Sequence, residues 1–564
     1  MIAKVENVQG LPAITVNGKP ITEMAYITYR TDQNRYADFA KIGVKLYSVN
    51  LNFSEMPINE TAPVLVFQKG IFEHEEPDFS IVDKNFDQIL AACPDAYIFP
   101  RVNMNLSEAW EKAHPDELCE KGYNERKRFS FASDIWAEEV KRQLGLLVNY
   151  IENSRYKERI IGYQLAAGNT EEWLPIDPQS GYGPRANEKF LQYCKENGLE
   201  KTAESYYTFM SELIAMRIMD FAAVVKQITN RTKLVGTFYG YVLLGRFICH
   251  HALGRLLRCE YIDFLSSPAS YTEDRAPGID PYPQLPPAAL RHHGKLYLAE
   301  NDIRTHLSRY VHDHPNYTKP VWLGQKKSIA TEQLKLSYCR AMLYGYGMWW
   351  FDMWGGWYDD PDYMALMEKM RKLCEHGMDI PDTDLAVFLD EKAMTKGDPR
   401  GTDLVLKCVR EIGLCGTPYD LYLTSDFNEV FDRYKACIFI EPAETALSNR
   451  CIEKALSEKK SVKVLTVKDM PAGVSPEEKS AWLDTNIAAD ELRDWLVKSG
   501  CEVAVNRKAV VYRGKRYSML YAPEDGEYDF CDKGKKVFVD VFTGEKIHFP
   551  AHLTKAKCLL FERG

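Results

Sequence analysis

Between Met24 and Phe351 the chain repeats one alternation eight times: a short apolar run, then a longer stretch with helical spacing. The runs are Met24–Tyr29, Leu46–Leu51, Ala96–Val102, Ile160–Leu165, Leu234–Phe238, Ile262–Ser266, Leu296–Glu300 and Gly347–Phe351. Apolar runs of this length read as buried strands. Ser133-Asp134 can cap a helix to about Asn153, and Glu204–Thr229, Thr331–Leu343 and Tyr363–Glu375 carry apolar residues at helical spacing. Strand–helix alternation predicts α/β architecture, and eight is the number that closes a (β/α)8 TIM barrel. No glycine-rich phosphate loop follows any run, so a nucleotide-binding sheet lacks its main signature.

A chain of 564 residues exceeds what one core supports. Pro381-Asp382-Thr383-Asp384 reads as a boundary. Beyond it Leu385–Leu389, Ala436–Ile440 and Val462–Val467 alternate with helical stretches, as in an open α/β domain. From Val503 onward, Ala509–Tyr512, Tyr517–Tyr521 and Lys536–Asp540 are punctuated by glycines and read as a small β domain. The expected division is therefore 1–380, with short N-terminal strands about Asn17-Gly18, then 381–500 and 501–564. A net charge of -9 leaves no excess basic surface for nucleic acid or anionic membrane. The N-terminus has no apolar signal core, and no run approaches membrane-spanning length. Fourteen scattered cysteines with no C-x-x-C pair read as reduced thiols of a cytoplasmic protein.

In such a barrel the C-terminal strand ends converge on one face. Arg101 and Asn103 stand there after strand three, Asn169, Glu171, Glu172 and Trp173 after strand four, and Tyr271 after strand six. Glu300, Asn301 and Asp302 follow strand seven, and Trp350, Asp352, Trp354 and Trp357 follow strand eight. Carboxyls, amides and indoles together suit the binding of hydroxyls and the cleavage of an acetal. A glycosidic oxygen leaves only when protonated, and the sugar carbon then carries positive charge. One carboxyl must hold a proton while the other is ionised. Strands four and seven face each other across a barrel, which can bring two carboxyls to the roughly 5–5.5 Å of a retaining enzyme. The plainer reading makes each acid a helix cap or a loop ion pair. In Glu171-Glu172 at most one is expected to be catalytic, its neighbour being solvated or paired with arginine. The tryptophans, likewise, could be barrel packing.

His250-His251 and His292-His293 make poor chelates, because adjacent side chains diverge on a strand or a helix. No metal is expected. Cys415 and Cys437 lack the small-residue turn of a nucleophile elbow and read as buried structural thiols.

The chain resembles the β-galactosidase-like glycoside hydrolases of family 42 and their barrel relatives in the large retaining clan. The resemblance rests on the Ile160-Ile161-Gly162-Tyr163-Gln164 lead-in, on Ala299-Glu300-Asn301-Asp302, and on the tryptophan-rich strand eight followed by Pro361-Asp362-Tyr363-Met364. It implies that the second domain is flavodoxin/amidotransferase-like and mediates a trimer. It also implies a retaining, exo-acting β-glycosidase without a cofactor, acting on terminal β-galactosides or β-mannosides of small oligosaccharides. Glu300 fits the nucleophile position. The family places its acid/base directly after an asparagine on strand four, whereas here Ala167-Gly168 stands near that point. The later Asn169-Thr170-Glu171-Glu172-Trp173 ends in Thr-x-Glu-Trp, which favours Glu172, with Glu171 as the alternative. Arg101, Asn103, Asn169 and Tyr271 are the expected hydrogen-bonding residues, and Trp350 and Trp354 the sugar platform. The acid is expected to have a raised pKa beside a burying tryptophan and a second carboxylate. The cysteine zinc cluster of some relatives has no counterpart. The rivals are a non-catalytic sugar-binding barrel and a phosphorylase or transglycosidase, the former of these two needing an anion site for which Arg304 is the local candidate.

Overall fold

The structure, a computed structural model, describes residues 1–57, 67–120, 127–175, 183–308, 324–396, 398–468, 470, 473 and 475–563. Its central feature is a ring of parallel strands. Strand one is Met24–Ile27, strand four Gly162–Ala166, strand five Leu234–Phe238, strand six Phe264–Ser266, strand seven Leu296–Asn301 and strand eight Gly347–Phe351. Strand two falls into Leu46–Tyr47 and Asn50–Asn52, and strand three into Tyr97–Ile98 and Arg101–Asn103. The earlier pieces pair with each other and join strand one, while the later pieces pair with each other and join strand four. Strands four to eight pair in sequence, and strand eight returns to strand one. Ten segments thus make one closed eight-stranded barrel. Pro100, without an N–H, interrupts strand three. The ladder continues around it, with the Phe99 N–H donating to the Tyr47 carbonyl and the Arg101 N–H to that of Val49, both at 3.0 Å.

Register decides which side chains face the barrel axis, because paired residues in a parallel ladder share a face and neighbours alternate. Arg101 pairs with Gln164 and Gln164 with Gly236; Gly236 pairs with Phe264 and Phe264 with Leu296. That this set points inward is confirmed by Gln164 on strand four, whose Nε2 donates to Ser266 Oγ on strand six over 3.1 Å. A Cβ on Gly236 would lie 2.1 Å from the Phe264 ring, so this layer needs a glycine there. The opposite phase, Tyr26, Tyr47 and Trp350, faces the outer helices. Tyr26 packs on Phe39 and Tyr36 of helix Tyr36–Lys41 at ring distances of 4.3 and 5.6 Å.

The helices begin where their caps allow. Ser133 Oγ accepts from the Trp136 N–H to start Asp134–Glu152, and Thr202 with Ser205 forms a capping box for Ala203–Ile228. Asp360 and Pro361 open Pro361–Leu373. Ala3–Val8 and Leu11–Val16 form an antiparallel pair at the opposite end of the barrel from the strand C-termini, where the Ala3 N–H donates to the Thr232 carbonyl.

A second parallel sheet has the order Asp420–Leu423, Leu385–Leu389, Ala436–Glu441, Ser461–Thr466. The sequence reading lacks Asp420–Leu423, a four-residue strand whose alternating Asp-Leu-Tyr-Leu has no continuous apolar run. Val510–Arg513, Tyr517–Tyr521 and Cys558–Glu562 form a C-terminal antiparallel sheet. Both units bond to the barrel: Arg291 pairs with Asp420 at 2.9 Å, and the Gly278 N–H donates to the Tyr521 hydroxyl at 2.8 Å. Cys415 and Cys437 are buried and unbridged. Among the described residues, no helix is long and apolar enough to cross a membrane.

Candidate active site

The segment after strand four gathers more non-glycine residues of positive φ than any other among the described residues. Gly168, Thr170, Glu171 and Trp173 all have positive φ, between 54° and 77°. Three of these are not glycine and one is β-branched, and such conformations persist where function and surrounding structure impose them. The effect here is to send two adjacent glutamates to different partners.

Glu171 is fully buried and tied down. Asn50 Nδ2 donates to both of its oxygens at 2.9 and 2.7 Å, Asn103 Nδ2 donates to Oε1 at 3.0 Å, and Arg101 Nε lies 3.3 Å from Oε2. Burial nevertheless pushes its pKa up to about 7 against these partners. Arg101 is also stacked over the Phe238 ring at 5.2 Å. Arg101 and Asn103, expected to read sugar hydroxyls, are therefore engaged in holding Glu171. The Asn103 Oδ1 accepts from the Asn105 N–H as well.

Glu172 points the other way. It is 9% exposed, and its Oε2 accepts from Thr170 Oγ1 at 2.6 Å and from the Tyr241 hydroxyl at 2.8 Å. Burial raises its pKa to about 7, Asp302 adds to the rise, and Arg101 and the two hydroxyls oppose it. Trp173, the tryptophan expected to bury the acid, packs between Phe131 and Phe221 and donates to the Leu165 carbonyl at 3.1 Å.

Glu300 lies at the end of strand seven, 4% exposed. Its Oε1 is 3.5 Å from the Tyr271 hydroxyl, and its buried Oε2 has no hydrogen-bond partner among the described residues. Burial raises its pKa well above the carboxylate range, and the charges of Asp302 and Glu172 raise it further. Glu172 and Glu300 therefore act on each other across the barrel mouth, and at neutral pH they do not both ionise without cost. Asp302 is different. Burial works against its charge, but Arg275 and Arg304, each 2.6 Å away, hold its pKa below the usual range.

Asn169 Oδ1 is buried without a partner among the described residues, and Tyr271 stands 3.5 Å from both Glu300 and Asp302. Trp354 is buried against Tyr29, with ring centroids 5.7 Å apart. Trp350 requires a correction. It pairs with Asn301 and Tyr26 on the helix-facing side, so it is not on the pocket face. Trp349 pairs with Glu300 and shares its inward face. The histidines are dispersed. His251 bonds the Leu244 carbonyl, His292 Glu429 and His293 Asp426.

The sequence matches no protein-family profile and no curated protein. Solved structures do match. A β-galactosidase from Bacillus circulans sp. alkalophilus superposes with a TM-score of 0.65 at 11% identity, covering 97% of this chain and 99% of its own. One from the psychrophilic Marinomonas ef1 gives 0.63 at 11%, covering 96% and 100%. A GH42 exo-carrageenase from Bacteroides ovatus gives 0.62 at 12%, covering 100% and 86%. The fold is that of the GH42 β-galactosidases.

The sequence places Asp302 at a strand end without assigning it a role, and Asn50 and Tyr241 join the site only in three dimensions. Tyr241 and Asp302 both bear on Glu172. Arg275 carried no signal at all, since its tie to Asp302 exists only in three dimensions.

Proposed function

We propose that the chain is a retaining, exo-acting β-glycosidase in which Glu300 is the nucleophile and Glu172 the general acid/base. One observation carries the reading: two carboxyls, from strands four and seven, lie buried at the mouth of the barrel with raised pKa values, and the charge of Glu172 helps to raise that of Glu300. Fold likeness alone would not assign a reaction. A carboxyl pair kept buried and mutually repelling destabilises the protein unless it serves chemistry.

In this reading the pair shares one proton. The bare Glu300 Oε2 faces the anomeric carbon, whose growing positive charge favours the ionised form of Glu300, and the proton resides on Glu172. Glu300 attacks the carbon as Glu172 protonates the leaving oxygen, giving a glycosyl–enzyme and a free alcohol. Glu172, now a carboxylate with Tyr241 and Thr170 as donors, takes a proton from water as the water attacks the same carbon. The sugar leaves with its original anomeric configuration, and both acids are restored. Tyr271 and Asn169 supply the nearest polar contacts to the sugar, and assembly as a trimer accompanies the reading by family resemblance.

A phosphorylase is less well supported, because Arg304 is committed to Asp302 rather than to an incoming anion. The test is a panel of nitrophenyl α- and β-glycosides of several sugars, with the anomer of the first product followed by proton NMR. Cleavage of a β-glycoside to the β-sugar supports the reading, and release of the α-sugar or inertness across the panel overturns it.

A further inference from the structure

A crevice of about 870 Å³ opens where the second parallel sheet meets the barrel. Its residues from the sheet follow three strand ends: Asp390 and Lys392 after Leu385–Leu389, Thr424 after Asp420–Leu423, and Thr445 and Arg450 after Ala436–Glu441. The opposite wall is the start of helix Ala203–Ile228, with Glu204, Thr208 and Glu212. In this sheet the second and third strands lie on opposite sides of the first, so the winding reverses at the crevice. Open α/β sheets place ligands outside the carboxyl ends of their strands at such a reversal. The volume is that of a small-molecule site.

A second observation is independent of topology. Thr424 is 1% exposed, lines the crevice, and its hydroxyl has no partner among the described residues. Buried hydroxyls are nearly always hydrogen-bonded, so this one lacks a component of its setting.

The walls also say what kind of ligand fits. Glu200, Glu204, Glu212 and Asp390 line it together with the cations Arg255, Lys392, Lys396 and Arg450. Glu391, partly buried and accepting from the Gly254 N–H, has its pKa pushed up to about 8 and is mainly protonated at neutral pH. The charges balance, so neither an anion nor a cation is selected, while donors and acceptors are both plentiful. Vicinal hydroxyls, each donating and accepting, match such a lining.

We propose that this crevice is a second, non-catalytic binding site for a small neutral polyhydroxylated molecule, a mono- or disaccharide. It does not rest on the hydrolase reading, since none of its residues belongs to the barrel mouth.

The test is calorimetric titration of the full chain carrying Glu300→Gln with galactose, mannose and lactose, and with inorganic phosphate for comparison. The expected result is saturable sugar binding of which one class of site weakens at least tenfold on adding Thr424→Val and Arg450→Ala. Arg450 is exposed, so Arg450→Ala alone repeats the test without disturbing the interior. If the barrel mouth binds no sugar, a single class remains and is still lost in these variants, which separates the two proposals. Sugar binding unchanged by both substitutions, phosphate binding in place of sugar, or no binding overturns the assignment.

Discussion

The Tyr241 hydroxyl donates to Glu172 Oε2 over 2.8 Å, joining strand five to the acid that follows strand four. A donor of this kind favours the carboxylate and holds the acid's pKa below what burial alone would give. Replacing Tyr241 with Phe removes a hydrogen bond to a charged group, worth about 1.5–3 kcal/mol. At 1.36 kcal/mol per unit, the alkaline limb of the kcat/KM profile should move up by about one to two pH units. A profile that only drops in height, with both limbs unmoved, would show that Tyr241 does not act through Glu172.

The two acids should fail differently. Glu300→Ala should abolish cleavage of aryl β-glycosides, with partial rescue by azide and an azide adduct of inverted configuration as product. Glu172→Ala should slow substrates with poor leaving groups by about 10²–10⁴, the range of a lost general acid, and spare those with very acidic ones. Full activity in Glu300→Ala defeats the nucleophile assignment.

Glu171 should behave as a structural residue. Glu171→Ala leaves Arg101 buried without its carboxylate, and breaking such a pair costs about 3–5 kcal/mol. The expected result is a large fall in thermal stability, with no steeper dependence of rate on leaving-group acidity. If the variant is stable yet selectively loses poor leaving groups, Glu171 and Glu172 exchange roles.

Register separates two neighbouring indoles. Trp349 shares the inward face with Glu300, whereas Trp350 lies with Tyr26 against the outer helices. Trp349→Phe is expected to raise KM for glycosides, and Trp350→Phe to lower the melting temperature with KM unchanged. The opposite pattern would return the sugar platform to Trp350.

Much of this was legible before any coordinates. The eight apolar runs marked the barrel because each strand is buried on both faces and reads as an unbroken run. Helix starts were legible at Ser133 because capping is local chemistry. What failed depended on phase or distance. The sequence points to Trp350 as a sugar platform because a run buried on both faces gives no clue to which residue points inward. Arg101 and Asn103 were assigned to the sugar because their true partner, Glu171, lies some seventy positions on and is reached only through a left-handed turn. No local pattern announces that turn, since Thr170 and Glu171 are residue types that seldom adopt it.

The raised pKa of Glu172 makes a prediction about stability rather than rate. In the folded chain its pKa is about 7, and in the unfolded chain about the ordinary 4.5. Between these values the folded state binds the proton that the unfolded state has released, so stability falls as pH rises through the interval. The contribution is fully present below about pH 4.5 and lost above about 7, amounting to about 3 kcal/mol at 1.36 per unit. Glu172→Gln keeps an oxygen for Tyr241 and Thr170 but carries no titrating charge. The variant should therefore melt higher than the parent at pH 8, with the gap closing as pH falls toward 4.5, while its activity on poor leaving groups is lost. Melting temperatures for the two chains across this range decide the matter. A gap that is constant with pH, or that widens toward acid, would mean that Glu172 is ionised at little cost and is not poised to hold the catalytic proton.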